Sequence, residues 1–269
     1  MDNEISIKQC ICCWYDLLGY GGTFIDSKWN LNDPRCKMNI QRIEAIRDWF
    51  FGILSTNSKA TKLYFNDGAI SNIDVDIKCD KSLCSALFFL ETIIRDFIAV
   101  NDVDKCMGFP GVRGVLTCGD RFDYEYTNTD FDVAEKRTIA YHPREFQMNT
   151  AFSKAFIIEE SGSKAGIKGA NLYIDKELLI FFQNAFENSE NHSIQVQEID
   201  DTLRIVVTFD NEWFTTVIVD REAVIYENRG IDTKLYRLVG IESKLDDIAK
   251  DAARQQALRY ALMEASGEW

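Results

Sequence analysis

The tripeptide Asn66-Asp67-Gly68, set between the apolar runs Leu63-Tyr64-Phe65 and Ala69-Ile70, constrains this chain more than any other feature. A turn sequence of that kind predicts a tight β-hairpin over 60–73, and therefore antiparallel pairing. Upstream, Ile5 to Leu18 is apolar, aromatic and cysteine-rich and ends at Gly19-Tyr20-Gly21-Gly22. A short apolar run closed by glycines reads as a buried strand turning into a loop.

Between and beyond these lie helical patterns. Residues 38–54 place Ile40, Ile43, Ile46, Trp49, Phe50 and Ile53 on one predicted face. Residues 82–100 have helical spacing, with Arg95 and Asp96 near an exposed end, and 146–160 and 176–186 read as further helices. Residues 108–118 read as loop then strand, 119–144 as a polar loop, 162–169 as a glycine and lysine loop, and 171–174 as a strand. From Ser193 the texture changes to alternating strands at 193–199, 203–209 and 214–226, before an Ala-rich amphipathic helix over 241–264. The order predicts an α+β fold, a mixed and mainly antiparallel sheet covered by helices. Residues 1–190 would form the main unit. Residues 191–269 would pack on it as a β-rich extension and terminal helix.

Charge limits the function. The net charge is -13, so phosphate backbones and anionic membranes are repelled, and neither nucleic acid nor membrane is expected as a partner. A phosphate ligand would need local help from metal ions, backbone amides or a few placed cations. The acidic start Met1-Asp2-Asn3-Glu4 has no apolar segment behind it, and no run reaches the length of a membrane span. The eight cysteines lack a second C-x-x-C pair and read as reduced, buried thiols. A cytoplasmic setting is expected. His142 and His192 sit in loop-like contexts without motifs, which disfavours triads and histidine zinc sites. No P-loop or dinucleotide-binding glycine motif occurs.

Two aspartates remain. Asp16 follows the buried run, and Asp67 lies at the hairpin tip. Each alone is ordinary turn chemistry. Together on adjacent strands they make a ligand set for hard divalent cations, which take oxygen donors and substrate phosphates.

Tyr15-Asp16-Leu17-Leu18-Gly19-Tyr20 resembles the first metal-binding motif of the class III adenylate and guanylate cyclases, and Asn66-Asp67 resembles their second metal-binding aspartate. Arg113-Gly114-Val115-Leu116-Thr117-Cys118-Gly119 is similar to a later strand of that family, and Asn149-Thr150-Ala151 to the ribose-contacting start of a late helix. The resemblance covers about residues 8–175. It implies a metal-dependent nucleotidyl cyclase that closes a nucleoside triphosphate into a 3′,5′-cyclic monophosphate. Asp16, the Leu17 carbonyl and Asp67 would hold two Mg²⁺ or Mn²⁺ ions. Leu18, Gly19, Tyr20 and Gly21 would face the triphosphate, and Asn149 would orient the ribose. The family's purine-selective lysine position is Leu63 here, with Lys62 one residue earlier. Its transition-state arginine is Ser153, which leaves Lys154, or an arginine such as Arg113 or Arg144, as the substitute cation. These departures are similar to those of bacterial cyclases that make cyclic UMP or CMP in Pycsar anti-phage defence, so UTP or CTP is the favoured substrate. The alternative is a cyclase-like module without catalysis. The family builds its site between two chains, which implies a head-to-tail homodimer. Leu245, Ile248, Ala252, Leu258 and Leu262 of the last helix are candidate supports for it.

Overall fold

The computed structural model describes residues 6–52, 60–123, 143–187 and 189–243, of which 45–52 as backbone only. β1 (Ser6–Leu17) runs through the middle of the main sheet. Its side chains alternate between two cores, Ile11, Cys13, Tyr15 and Leu17 on one face and Cys10, Cys12 and Trp14 on the other. A strand buried on both faces reads as a continuous apolar run, because its two-residue period no longer separates apolar from polar positions.

β1 lies antiparallel to β3 (Gly68–Val75), with Asp16 opposite Gly68, and to β4 (Val112–Asp123), with Asp16 opposite Arg113. β2 (Thr61–Phe65) closes the expected hairpin with β3. Its loop is only Asn66 and Asp67, and Asn66 takes the left-handed φ of 49°. Gly68 already belongs to the strand. It is glycine for another reason: a Cβ there would lie 2.3 Å from the Trp14 ring.

Helices α1 (Tyr20–Asp26), α2 (Pro34–Gly52) and α3 (Asp80–Cys106) connect these strands. The order β2-β3-β1-β4 is the split βαβ arrangement of ferredoxin-like sheets. Phe24 of α1, Ile43 of α2 and Leu83, Leu87, Ile94 and Phe97 of α3 pack on the Ile11 face. α4 (Thr150–Ser161) covers the opposite face with Ala151, Ala155 and Ile158.

β5 (Leu172–Asp175) adds parallel to β4. After α5 (Lys176–Phe186) the chain forms β6 (Ser193–Ile199), β7 (Thr202–Phe209), β8 (Glu212–Asp220), β9 (Val224–Asn228) and β10 (Ile231–Ser243). β10 pairs with β5, β8 and β9, so the sheet continues without a break into the C-terminal strands. The fold is α+β with a mostly antiparallel sheet, as the sequence predicts.

Several boundaries differ. α2 begins at Pro34 rather than at Met38, because the Asp33 carboxylate accepts the Arg35 amide at 3.0 Å and proline suits a first helical position. Among its described side chains the buried ones are Cys36, Asn39 and Arg42, whereas Ile40 is 57% exposed. The side chains of Ile46, Trp49, Phe50 and Ile53 lie outside the described residues. In α3, Asp96 is buried rather than near an exposed end. Gly119 to Asp123 extend β4 instead of starting a loop. The late helix starts after Asn149, with a separate 3-10 turn at Arg144–Phe146. The predicted strand 214–226 is two strands, β8 and β9, split by a bend at Arg221 and Glu222. Ile241 to Ser243 end β10 instead of opening a helix, and the rest of that predicted helix lies outside the described residues.

Among the described residues no helix is long and apolar enough to cross a membrane. All eight cysteines are free thiols: Cys10, Cys12, Cys13 and Cys36 are buried, Cys84 and Cys118 half-buried, and Cys79 and Cys106 exposed. Burial pushes the thiols of Cys10 and Cys118 up to about 12, which keeps them as unreactive hydrophobes.

Candidate functional site

The C-terminal end of β1 brings Asp16 and Asp67 together. The Leu17 amide donates to the Asp67 carbonyl at 3.0 Å, which ties the hairpin tip to the strand end. Both aspartates are half-buried. Burial, then the negative charges of Asp67 and Glu159, raise the Asp16 carboxyl from 3.8 to about 7, against the opposing pull of Arg113. A carboxylate held among like charges is stabilised by any cation that enters.

Glu159 is a third carboxylate here, and the sequence reading missed it. It lies on α4, buried at 5% exposure. Its Oε1 accepts from Arg113 Nε at 2.8 Å and lies 2.6 Å from Nη2. Its Oε2 accepts from Trp14 Nε1 at 3.4 Å. The only signal for it in sequence is helical position, since Ala151, Ala155, Ile158 and Glu159 share the face of α4 that is turned to the sheet. Arg113 therefore stands beside Asp16 but is already paired.

The glycine segment is not a simple loop. Gly19 is exposed with a left-handed φ of 71°, and α1 starts immediately at Tyr20, which is buried. The Leu18 amide donates to the Gly111 carbonyl at 3.0 Å, and the Gly22 amide to the Gly19 carbonyl at 3.2 Å. A Cβ on Gly21 or Gly22 would meet nothing within 4 Å. The chain's own packing does not demand glycine there, and the space beside these residues is open.

Leu63 and Lys62 point to opposite faces, as neighbours in a strand must. Leu63 packs with Trp14 and Ile70 on the Asp16 side. Lys62 crosses to the other face and bonds buried Asp96 at 3.1 Å. The one-residue offset of this lysine therefore removes it from the candidate site altogether.

Asn149 sits elsewhere. It caps α4, with its Oδ1 accepting the Phe152 amide at 2.8 Å and the Cys10 thiol at 3.6 Å. Its Nδ2 donates to Asn72 Oδ1 at 2.9 Å and to the Glu145 carbonyl at 2.8 Å. Cys10 and Asp16 are six residues apart on β1, or roughly 20 Å at ~3.3 Å per residue. Asn149 and Asp16 thus occupy opposite ends of the sheet face in one chain. Ser153 Oγ donates to the Asn149 carbonyl at 2.9 Å. Lys154 Nζ lies 2.5 Å from the fully buried Asp175 carboxylate, which also accepts from Thr233 at 2.6 Å and caps α5. Lys154 neutralises a buried cap and is not beside Asp16.

Among the described residues no group of three or more His, Cys, Asp or Glu side chains is arranged to cage a metal ion. Two adjacent carboxylates with a repelled negative charge still match the way Mg²⁺ is commonly held, by one or two carboxylates with substrate phosphates completing the shell. The donor set fits divalent cations that arrive with an anionic substrate.

No protein-family model matches the sequence, and no curated protein matches it. Solved structures overlap it loosely. The guanylyl cyclase Cya2 aligns over 91% of this chain and 98% of its own, at 12% identity and a TM-score of 0.39. An adenylate/guanylate cyclase/hydrolase from Silicibacter pomeroyi aligns over 88% and 99%, at 10% identity and a TM-score of 0.38. Superpositions this loose establish no shared fold, so the chemistry rests on the local geometry.

Proposed function

We propose that this protein is a metal-dependent nucleotidyl cyclase, converting a nucleoside triphosphate to a 3′,5′-cyclic monophosphate and pyrophosphate. The observation that carries this reading is the pairing of Asp16 with Asp67 at the end of β1, beside an exposed glycine turn. The motif resemblance of residues 8–175 and the order β2-β3-β1-β4 agree with it.

Asp16, Asp67 and the Leu17 carbonyl are the groups to hold two Mg²⁺ or Mn²⁺ ions, which would lower the pKa of the ribose 3′-hydroxyl and neutralise the phosphate charge. The glycine turn meets the triphosphate with backbone amides and no side chain in the way. Arg113 is the cation beside Asp16, and Glu159 fixes its guanidinium with two contacts. Leu63 offers the base an apolar wall where a lysine would select purines, which favours UTP or CTP and a role as a signal in anti-phage defence. Asn149 belongs to the far end of β1, so a complete site calls for a second chain placed head to tail.

A second reading, a nucleotide-binding module without catalysis, is favoured by one observation. The three groups nominated for catalysis, Asn149, Lys154 and Arg113, are all engaged inside their own chain.

Incubation of the protein with ATP, GTP, CTP and UTP plus Mn²⁺, with products read by mass spectrometry, separates the two. A cyclic pyrimidine monophosphate that disappears in Asp16→Ala and Asp67→Ala is expected. Absence of product from all four, with the protein folded, would move the reading to the binding module.

A further inference from the structure

The glycine turn is gripped from inside by polar side chains that no apolar pattern would place there. Arg42 of α2 is 1% exposed and Asp104 of α3 is 2% exposed. Arg42 Nε bonds Asp104 Oδ1 at 2.7 Å and Nη2 bonds Oδ2 at 2.9 Å. The same Nη2 donates to the Leu18 carbonyl at 3.0 Å. Asp104 Oδ2 in turn accepts the Gly111 amide at 2.9 Å, and the Gly111 carbonyl accepts the Leu18 amide at 3.0 Å. These contacts close a ring, Arg42 to Asp104 to Gly111 to Leu18 and back. The Phe109 ring lies 4.3 Å from the guanidinium and seals it. One turn earlier on α2, Asn39 Nδ2 donates to the Tyr20 carbonyl at 3.1 Å, and Asn39 is 1% exposed.

The consequence follows from peptide geometry. Among the described residues no peptide bond is cis, and in a trans peptide the carbonyl and the next amide point in opposite directions. Arg42 draws the Leu18 carbonyl inward, so the Gly19 amide points outward. Asn39 does the same for Tyr20, so the Gly21 amide points outward as well. Both glycines are exposed. A buried ion pair is weak evidence for stability, because desolvation offsets much of its attraction. An arginine and aspartate buried under a turn in this way are better explained by the geometry they impose.

We propose that Arg42 and Asn39 are positioning residues which aim the Gly19 and Gly21 amides at the phosphate groups of an anionic substrate, with Asp104 fixing Arg42. The proposal rests on the triphosphate reading above. It assigns phosphate affinity to two residues that never touch the ligand.

The test is calorimetric binding of inorganic tripolyphosphate in the presence of Mn²⁺, on the full chain. Asn39→Ala and Arg42→Lys are compared with wild type and with Ile205→Val, a core change in the C-terminal strands that lowers stability only. Asn39→Ala is expected to weaken tripolyphosphate binding about tenfold, as loss of an aimed amide donor would. Arg42→Lys, which keeps the charge but not the forked contacts, is expected to weaken it at least as much. Asn39→Gln, which keeps an amide on a longer stem, should recover part of the loss, and Ile205→Val should bind as wild type. In turnover assays the defect should appear in KM for the triphosphate more than in kcat. Wild-type affinity in folded Asn39→Ala and Arg42→Lys would overturn the positioning role while leaving the triphosphate reading intact. Failure of wild type itself to bind tripolyphosphate with Mn²⁺ would overturn both.

Discussion

The two ends of β1 carry similar residue types and treat them in opposite ways. At the Cys10 end Arg121, Lys8 and Asn149 each have their complement. Arg121 forks onto Asp74 at 2.5 and 2.6 Å, Lys8 meets Asp123 at 2.5 Å, and the Asn149 amide is shared among Asn72, Glu145, Cys10 and its own helix. At the Asp16 end, three carboxylates share one guanidinium, which Glu159 already holds. One end is a finished piece of structure, and the other is left with excess negative charge and an open glycine turn. Unresolved charge of this kind concentrates where a ligand completes the balance. Removing groups from the two ends should therefore give opposite results.

The largest difference is in activity. Asp16→Ala and Asp67→Ala should each lower turnover by about 10³-fold or more, the scale of losing direct stabilisation of reacting charge. The variants should remain folded by circular dichroism. Retained turnover in either one would break the comparison at its active end. Next comes the structural end. Asn149→Ala removes a helix cap and strands the buried Asn72 amide, and should cost about 3 kcal/mol in urea unfolding. A cost below ~1 kcal/mol would mean that the cap is not what fixes α4 there. Third, Lys62→Met leaves Asp96 without its cation in the core and should cost about 2 kcal/mol, reduced from a fully buried pair because Lys62 is a quarter exposed. Its preference among triphosphates should not change, since Lys62 lies behind the sheet. A switch in base preference would contradict that placement.

The same contrast explains what was legible in the sequence. Apolar β1, the hairpin and α5 declare themselves by pattern, and Asp16 and Asp67 by their place in turn chemistry. Their meeting depends on register, which the antiparallel pairing with β3 fixes. Arg42, Asn39 and Asp104 could not be found by apolar periodicity, because they are polar residues on the inward faces of their helices, and Glu159 shows only as a polar residue on the apolar face of α4. On α2, Asn39 and Arg42 take inward positions beside Ile43, and Ile40 is left exposed. β10 was missed because only alternate positions such as Thr233, Leu235 and Ser243 are buried in a largely polar strand. Its pairing with β5 is long-range, and no local pattern announces it. Lys62 illustrates the finest grain of the problem, since a shift of one residue moves a side chain through the sheet.

The smallest predicted effect has the most diagnostic sign. The Asp16 carboxyl titrates near 7 in the folded protein and near 3.8 when unfolded. Between those values the unfolded chain releases its proton first, so ionisation favours unfolding. Through this group, stability should fall as pH rises from about 4 to about 7, and stay level above that. Asp16→Asn removes the penalty while keeping the shape. The variant should be more stable than wild type at pH 8 by about 1–2 kcal/mol, a figure discounted because Asp16 is only half-buried. The gain should shrink as pH falls and vanish below about pH 3, where the carboxyl is protonated in the folded and the unfolded chain alike. Mn²⁺ should act the other way, raising the melting temperature of wild type but not of Asp16→Asn, since a cation bound only by the folded state stabilises it. A substitution that abolishes turnover yet strengthens the metal-free fold is what a site built for a missing cation requires. Equal stability of Asp16→Asn and wild type across pH 4 to 8 would instead put the Asp16 end in the same balanced class as the Asn149 end.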